Sequence, residues 1–142
     1  MNRNRPSTIS KILSANDTGE TKTHQAGICI PKKPEILAFF PSLDNSKKNP
    51  RQTINFEDNS GDYWKWSFIY YNGKFFGGTR NEYRLTGMTA FIKSNNLKAG
   101  DSVTLSRSHD SEYKIEYHHN KELNNEENNV LRLGSTWKVI KI

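Results

Sequence analysis

Cysteine is almost missing from this chain of 142 residues, with Cys29 standing alone. A single thiol excludes an internal disulfide and a zinc site built from cysteines. Long apolar runs are missing too, and no stretch approaches the roughly 20 residues a membrane-spanning helix needs. The opening Met1-Asn2-Arg3-Asn4-Arg5-Pro6 carries charge but no apolar core behind it, so it does not read as a signal peptide. The sequence holds no internal repeat, no phosphate-binding glycine loop, no dinucleotide motif and no Ser-His-Asp arrangement. What remains reads as one domain over residues 1–142, with a modest core and no membrane partner. It is expected in the cytoplasm or on the nucleoid.

Acid is in shorter supply than base. Twenty-one Lys and Arg against fifteen Asp and Glu leave a formal charge of +6, and the sequence pI is about 9.4. Basic clusters lie at Arg3/Arg5/Lys11, Lys32/Lys33, Lys47/Lys48/Arg51 and Arg80/Arg84. Acid collects at Glu57/Asp58/Asp62 and between residues 110 and 127. The split suggests one basic and one acidic side, and a basic side suits a polyanion.

The run Gly77-Gly78-Thr79-Arg80-Asn81-Glu82-Tyr83-Arg84 is the densest in chemistry. Arginine can contact guanine in bidentate fashion, asparagine adenine, and a carboxylate can accept from cytosine. A glutamate weakens generic phosphate affinity, so its presence on a basic surface suggests reading. The plainer alternative is a hairpin turn closed by a Glu-Arg surface pair, and the eight residues alone leave both open.

Along the chain, strands dominate. Short strands are expected at residues 9–13, 26–30, 53–57, 63–71, 102–105, 113–118 and 137–142, from alternation or short apolar runs. Residues 14–23 are small, polar and turn-rich, and are expected to project as a loop. Two short helices are expected, one over residues 34–40 with proline at its start, the other from Thr86-Gly87-Met88-Thr89 to Asn95-Asn96. Trp64, Trp66, Phe68 and Tyr70 fall on one strand face. That row could stack single-stranded bases, but a core role explains it better. Asn72-Gly73 signals a hairpin. Residues 121–129 read as a loop. Many short strands with two short helices indicate a mainly β fold, a small barrel or sandwich.

Ser14-Ala15-Asn16-Asp17-Thr18-Gly19, His24-Gln25 and Ile30-Pro31, followed by Thr79-Arg80-Asn81-Glu82 and Arg84, resemble the amino-terminal domain of EcoRII-type restriction endonucleases. The stretch with Phe91 and the turn Asn96-Leu97-Lys98-Ala99-Gly100-Asp101 is similar to plant B-three DNA-binding domains. The resemblance implies an open, seven-stranded DNA-binding pseudobarrel. It also implies two loops gripping double-stranded DNA from the major groove: an N-arm over residues 14–25 and a C-arm over residues 77–84. Arg80, Asn81, Glu82 and Arg84 would then read bases, with His24 and Lys22 from the N-arm. Ser14, Asn16, Thr18, Thr79 and Tyr83 would meet the DNA backbone, with Lys47, Lys48 and Arg51 as generic phosphate candidates. The EcoRII-type target is CCWGG, where W is A or T. Gly78 and Tyr83 stand where EcoRII has lysines, and Lys22 stands where it has a glycine. A monomer is expected, and the resemblance implies a domain without catalytic residues, metal or cofactor of its own. A magnesium-dependent nuclease domain would be covalently linked in a longer parent.

Asp101, Glu112 and Lys114 superficially echo a magnesium nuclease. His119-Asn120-Lys121 echoes a His-x-Lys motif without its expected aspartate. His118 and His119, as strand neighbours, would point to opposite faces and make a poor metal pair. The chain is therefore expected to bind DNA rather than cleave it.

Overall fold

A computed structural model of the chain describes residues 7–21, 27–74, 76–78, 81–120 and 136–140. Among these described residues, eight strands make one sheet: β1 (Thr8–Ile12), β2 (Gly27–Ile30), β3 (Arg51–Glu57), β4 (Tyr63–Asn72), β5 (Asn81–Thr86), β6 (Ser102–Arg107), β7 (Tyr113–His118) and β8 (Trp137–Val139). Their order is β2-β5-β4-β3-β7-β6-β1-β8. Neighbours are antiparallel, except that β3 and β7 run parallel through Phe56↔Tyr113 and Glu57↔Lys114. The sheet curls into an open half-barrel. Its two end strands are bridged where the Trp137 indole Nε1 donates to the Cys29 carbonyl at 3.2 Å.

Alternation explains the interior. Ile9, Ile28, Phe56, Trp66, Phe68, Leu85, Leu105 and Ile115 come from seven strands, and all are buried. Each such side chain contributes about 1.5–3 kcal/mol on burial. The aromatic row of β4 belongs to this core. Trp66 and Phe68 are buried, and the partly buried Trp64 packs against the cluster. The indole N–H of Trp64 donates to Asp58 at 2.8 Å. Asp58 also accepts the Ser60 and Asp62 amides, which turns β3 into β4. A stacking platform for single strands is therefore not available at Trp66 or Phe68.

Among the described residues, three short helices accompany the sheet: α1 (Ala15–Thr18), α2 (Pro34–Leu37) and α3 (Thr89–Ser94). The last two match the expected pair. Phe39 and Phe40, just after α2, pack edge-on against Tyr113 and stack on Phe68, respectively. Phe91 of α3 meets Trp64 and Trp66 edge-on. Asn95 caps α3 and Asn96 takes a left-handed φ of 53°, ending the helix where the sequence places its end.

Two expectations are corrected. Residues 14–20 do not simply project, because α1 forms there. Ser14 and Asp17 build a reciprocal capping box, the Asp17 carboxylate also pairs with the buried Lys11 ammonium, and Gly19 ends the turn at φ 84°. The second correction concerns strand count, eight instead of seven. Residues 81–84, expected in the C-arm loop, form most of β5, whose buried Leu85 and packed Tyr83 alternate with outward Glu82 and Arg84. The expected loop at residues 121–129 lies outside the described residues, as do Arg3 and Arg5. Among the described residues, no helix is long and apolar enough to cross a membrane.

Candidate nucleic-acid interface

β5 sorts its side chains by parity. On the inner face, Tyr83 stacks on Tyr70 with ring centroids 4.2 Å apart and lies 5.6 Å from Phe68. Burial, then Tyr70, pushes the Tyr83 phenol upward, opposed by a hydrogen bond with Asn45. On the other face, Arg84 Nη1 lies 3.9 Å from Glu82 Oε2, with the side chains 15% and 24% exposed. That is the Glu-Arg pair foreseen as the plain alternative, but both groups keep a solvent-facing part. Asn81 closes the hairpin, its Oδ1 accepting the Lys74 amide at 3.0 Å.

Beside this face runs edge strand β2. Cys29 is the register partner of Arg84 and is exposed. Its thiol pKa is raised first by partial shielding of the sulfur from water and second by Glu82, while Arg84 and Lys11 pull it down. The thiol therefore sits within electrostatic reach of both the β5 pair and the Lys11–Asp17 pair that anchors α1. β2 approaches β5 closely at Gly27, where a Cβ would stand 2.6 Å from the Leu85 carbonyl oxygen.

The base of the proposed N-arm is tied down. Thr18 is buried, its hydroxyl 3.1 Å from the Ala15 carbonyl and 2.5 Å from the Glu20 carboxylate. Glu20 also accepts the Ala99 amide at 2.8 Å, and these bonds, Thr18 first, hold its pKa below the usual value. The Thr18 hydroxyl is thus engaged inside the fold rather than offered to a phosphate. Ser14 likewise spends its oxygen on the Asp17 amide at 3.1 Å. Asn16 accepts from Thr21 at 3.2 Å. Lys22, His24, Thr79 and Arg80 lie outside the described residues.

Bonded to the end of β4 through Asn72, residues 44–50 carry Lys47 and Lys48, both exposed. Asp44 starts the turn by accepting the Ser46 amide and hydroxyl, and Ser46 is what lowers its pKa. Asn49 holds φ 50°. Arg51, exposed at the start of β3, donates from Nε to the Asn49 carbonyl at 3.4 Å. The structure thus gathers Lys47, Lys48 and Arg51 on one loop and strand start. It also places the ammonium of Lys32 6.0 Å above the Tyr70 ring, a contact with no signal in the sequence beyond its basic neighbourhood.

The nuclease-like residues are scattered. Asp101 precedes β6, and Glu112 lies beyond its other end, just before β7. Seven residues of strand separate their levels, about 22–24 Å. Asp101 is buried, accepting the Asn120 and Lys98 amides and facing His119 Nδ1 at 3.1 Å. Burial works to raise its pKa, but these partners outweigh it and hold the carboxyl low. Asp101 is a structural hub there, and it cannot share an ion with Glu112.

Residues 5–132 match the family described as restriction endonuclease EcoRII, N-terminal. The chain belongs to the EcoRII N-terminal family. This family member is 38% identical over 98 residues to the type II restriction enzyme EcoRII of Escherichia coli, a match covering 67% of the chain and 24% of the enzyme. The chain thus spans about a quarter of that relative's length. Its fold is that of the Arabidopsis FUS3–DNA complex, with TM-score 0.60, 21% identity, and 77% and 93% of the two chains covered. It is also that of the UbaLAI restriction endonuclease B3 domain solved with cognate DNA, with TM-score 0.60, 19% identity, and 96% and 87% covered. The family and the pseudobarrel expected from the loop motifs are both borne out.

Proposed function

We propose that this EcoRII N-terminal family member binds double-stranded DNA in a sequence-specific way and does not cut it. The observation that carries the reading is the Glu82–Arg84 pair on the outer face of β5, within a domain of this family. A carboxylate beside a guanidinium offers an acceptor for cytosine and a fork for guanine. Arg80 and Asn81 would extend that reader along the C-arm, with Lys22 and His24 entering from the N-arm. Lys47, Lys48 and Arg51 would supply phosphate contacts that position the duplex without reading it. Two solved fold neighbours hold DNA, which supports the same reading.

The proposed target is CCWGG, gripped from the major groove. G·C pairs flanking one A·T pair suit two arginines, a glutamate and an asparagine. The chain would act as a cytoplasmic monomer, without its own cofactor, joined to a magnesium-dependent nuclease domain. Selection from a pool of randomised duplexes tests this. Enrichment of CCWGG is the expected outcome, and recovery of unenriched sequence contradicts it.

A further inference from the structure

Asn72 is a polar side chain only 2% exposed at the end of β4. A buried amide is costly unless its donors and acceptor find partners. Here they do, all on one distant loop. The Oδ1 accepts the Asn49 amide at 2.7 Å, and Nδ2 donates to the Lys47 carbonyl at 2.7 Å, with the Asn45 carbonyl at 3.5 Å. Reversing the amide would set its oxygen against two carbonyls, so the orientation is fixed by its neighbours. On the strand side, Asn72 is the register partner of Asn81, which in turn closes the β4–β5 turn through the Lys74 amide. Two asparagines side by side therefore clamp two loops, one carrying Lys47 and Lys48, the other leading into Glu82 and Arg84.

We infer that Asn72 is a positioning residue for DNA, locking the Lys47–Lys48 loop to the hairpin so that phosphate anchoring and base reading form one rigid unit. The inference rests on the DNA-binding reading above. Asn72 touches no DNA itself. Its contribution passes through the lysines, whose ammonium groups keep phosphate register only while their backbone is held.

The test is salt-dependent fluorescence anisotropy of the whole chain with a short duplex of arbitrary sequence. The proteins are wild type, Asn72→Ala, Lys47→Ala/Lys48→Ala, and the triple variant. Each phosphate contact contributes about 0.9 to the slope of log affinity against log salt. Asn72→Ala is expected to lower the slope by about two, like the double lysine change, and to add nothing in the triple variant. Asn72→Ser, which keeps a hydroxyl in the pocket, serves if the alanine variant does not fold. An unchanged slope in the folded Asn72 variant overturns the inference. An equal further loss in the lysine-free background also overturns it, since Asn72 would then act independently. Absence of duplex binding by wild type would instead sink the underlying DNA-binding reading.

Discussion

Glu82 and Arg84 lie two residues apart on one face of β5, their charged ends 3.9 Å apart. At the limit of ion-pair distance and short of hydrogen-bond contact, the pair is a weak tether for the fold. In the proposed reading it presets the orientation of an acceptor for cytosine and a fork for guanine. Arg84→Ala should cost about 1–3 kcal/mol in cognate binding and relax specificity at one base pair, as should Arg80→Ala. Glu82→Ala should lose discrimination while non-specific binding stays level or rises, because a negative charge near phosphates is gone. Anisotropy with cognate and scrambled duplexes separates the two patterns. Wild-type binding by both arginine variants would remove β5 from the reading surface.

Cys29 reports on the same pair without DNA. Glu82 raises its thiol pKa and Arg84 lowers it, while partial shielding of the sulfur from water raises it most. The thiolate is the reactive form. Glu82→Ala should therefore speed alkylation by iodoacetamide at mildly alkaline pH, and Arg84→Ala should slow it. The same direction of change in both would mean that exposure, rather than charge, controls the thiol.

Gly27 is where β2 presses onto β5. A Cβ there would meet the Leu85 carbonyl oxygen at 2.6 Å, a backbone atom that cannot swing aside. Gly27→Ala should destabilise the domain by about 1–3 kcal/mol, the usual cost of overpacking. Urea unfolding measures it, and an unchanged midpoint would show that the two strands separate at no cost.

Asp101 sets an acid limit. Its folded pKa lies below the unfolded value, near 3.9 for aspartate. Its contribution is therefore present above about pH 4 and is lost as pH falls through the depressed folded value. Asp101→Asn should lower stability at neutral pH and flatten the decline below about pH 4. Thermal melts across pH check this, and an equally steep decline in the variant would place the acid sensitivity elsewhere.

Much of the fold is legible in the sequence because alternation writes burial directly. Trp64, Trp66 and Phe68 mark β4, and Ile54 and Phe56 mark β3. Helix α1 escapes notice because Ser14-Ala15-Asn16-Asp17 has no apolar period, so its stability comes from the capping box and a buried lysine. β5 escapes because its charged half attracts a functional reading while Tyr83 and Leu85 quietly do the packing. Glu82 and Arg84 emerge as neighbours from spacing alone. Asn72 does not, since its partners lie 23 to 27 residues earlier and only the tertiary fold brings them together.

The central claim is specific recognition of duplex DNA. Fluorescence anisotropy of the chain at physiological salt without magnesium tests it most directly, with a CCWGG duplex, a scrambled duplex of equal composition and the single strand. The account predicts a large preference for the CCWGG duplex. Equal weak binding to all three, or a preference for the single strand, would contradict it.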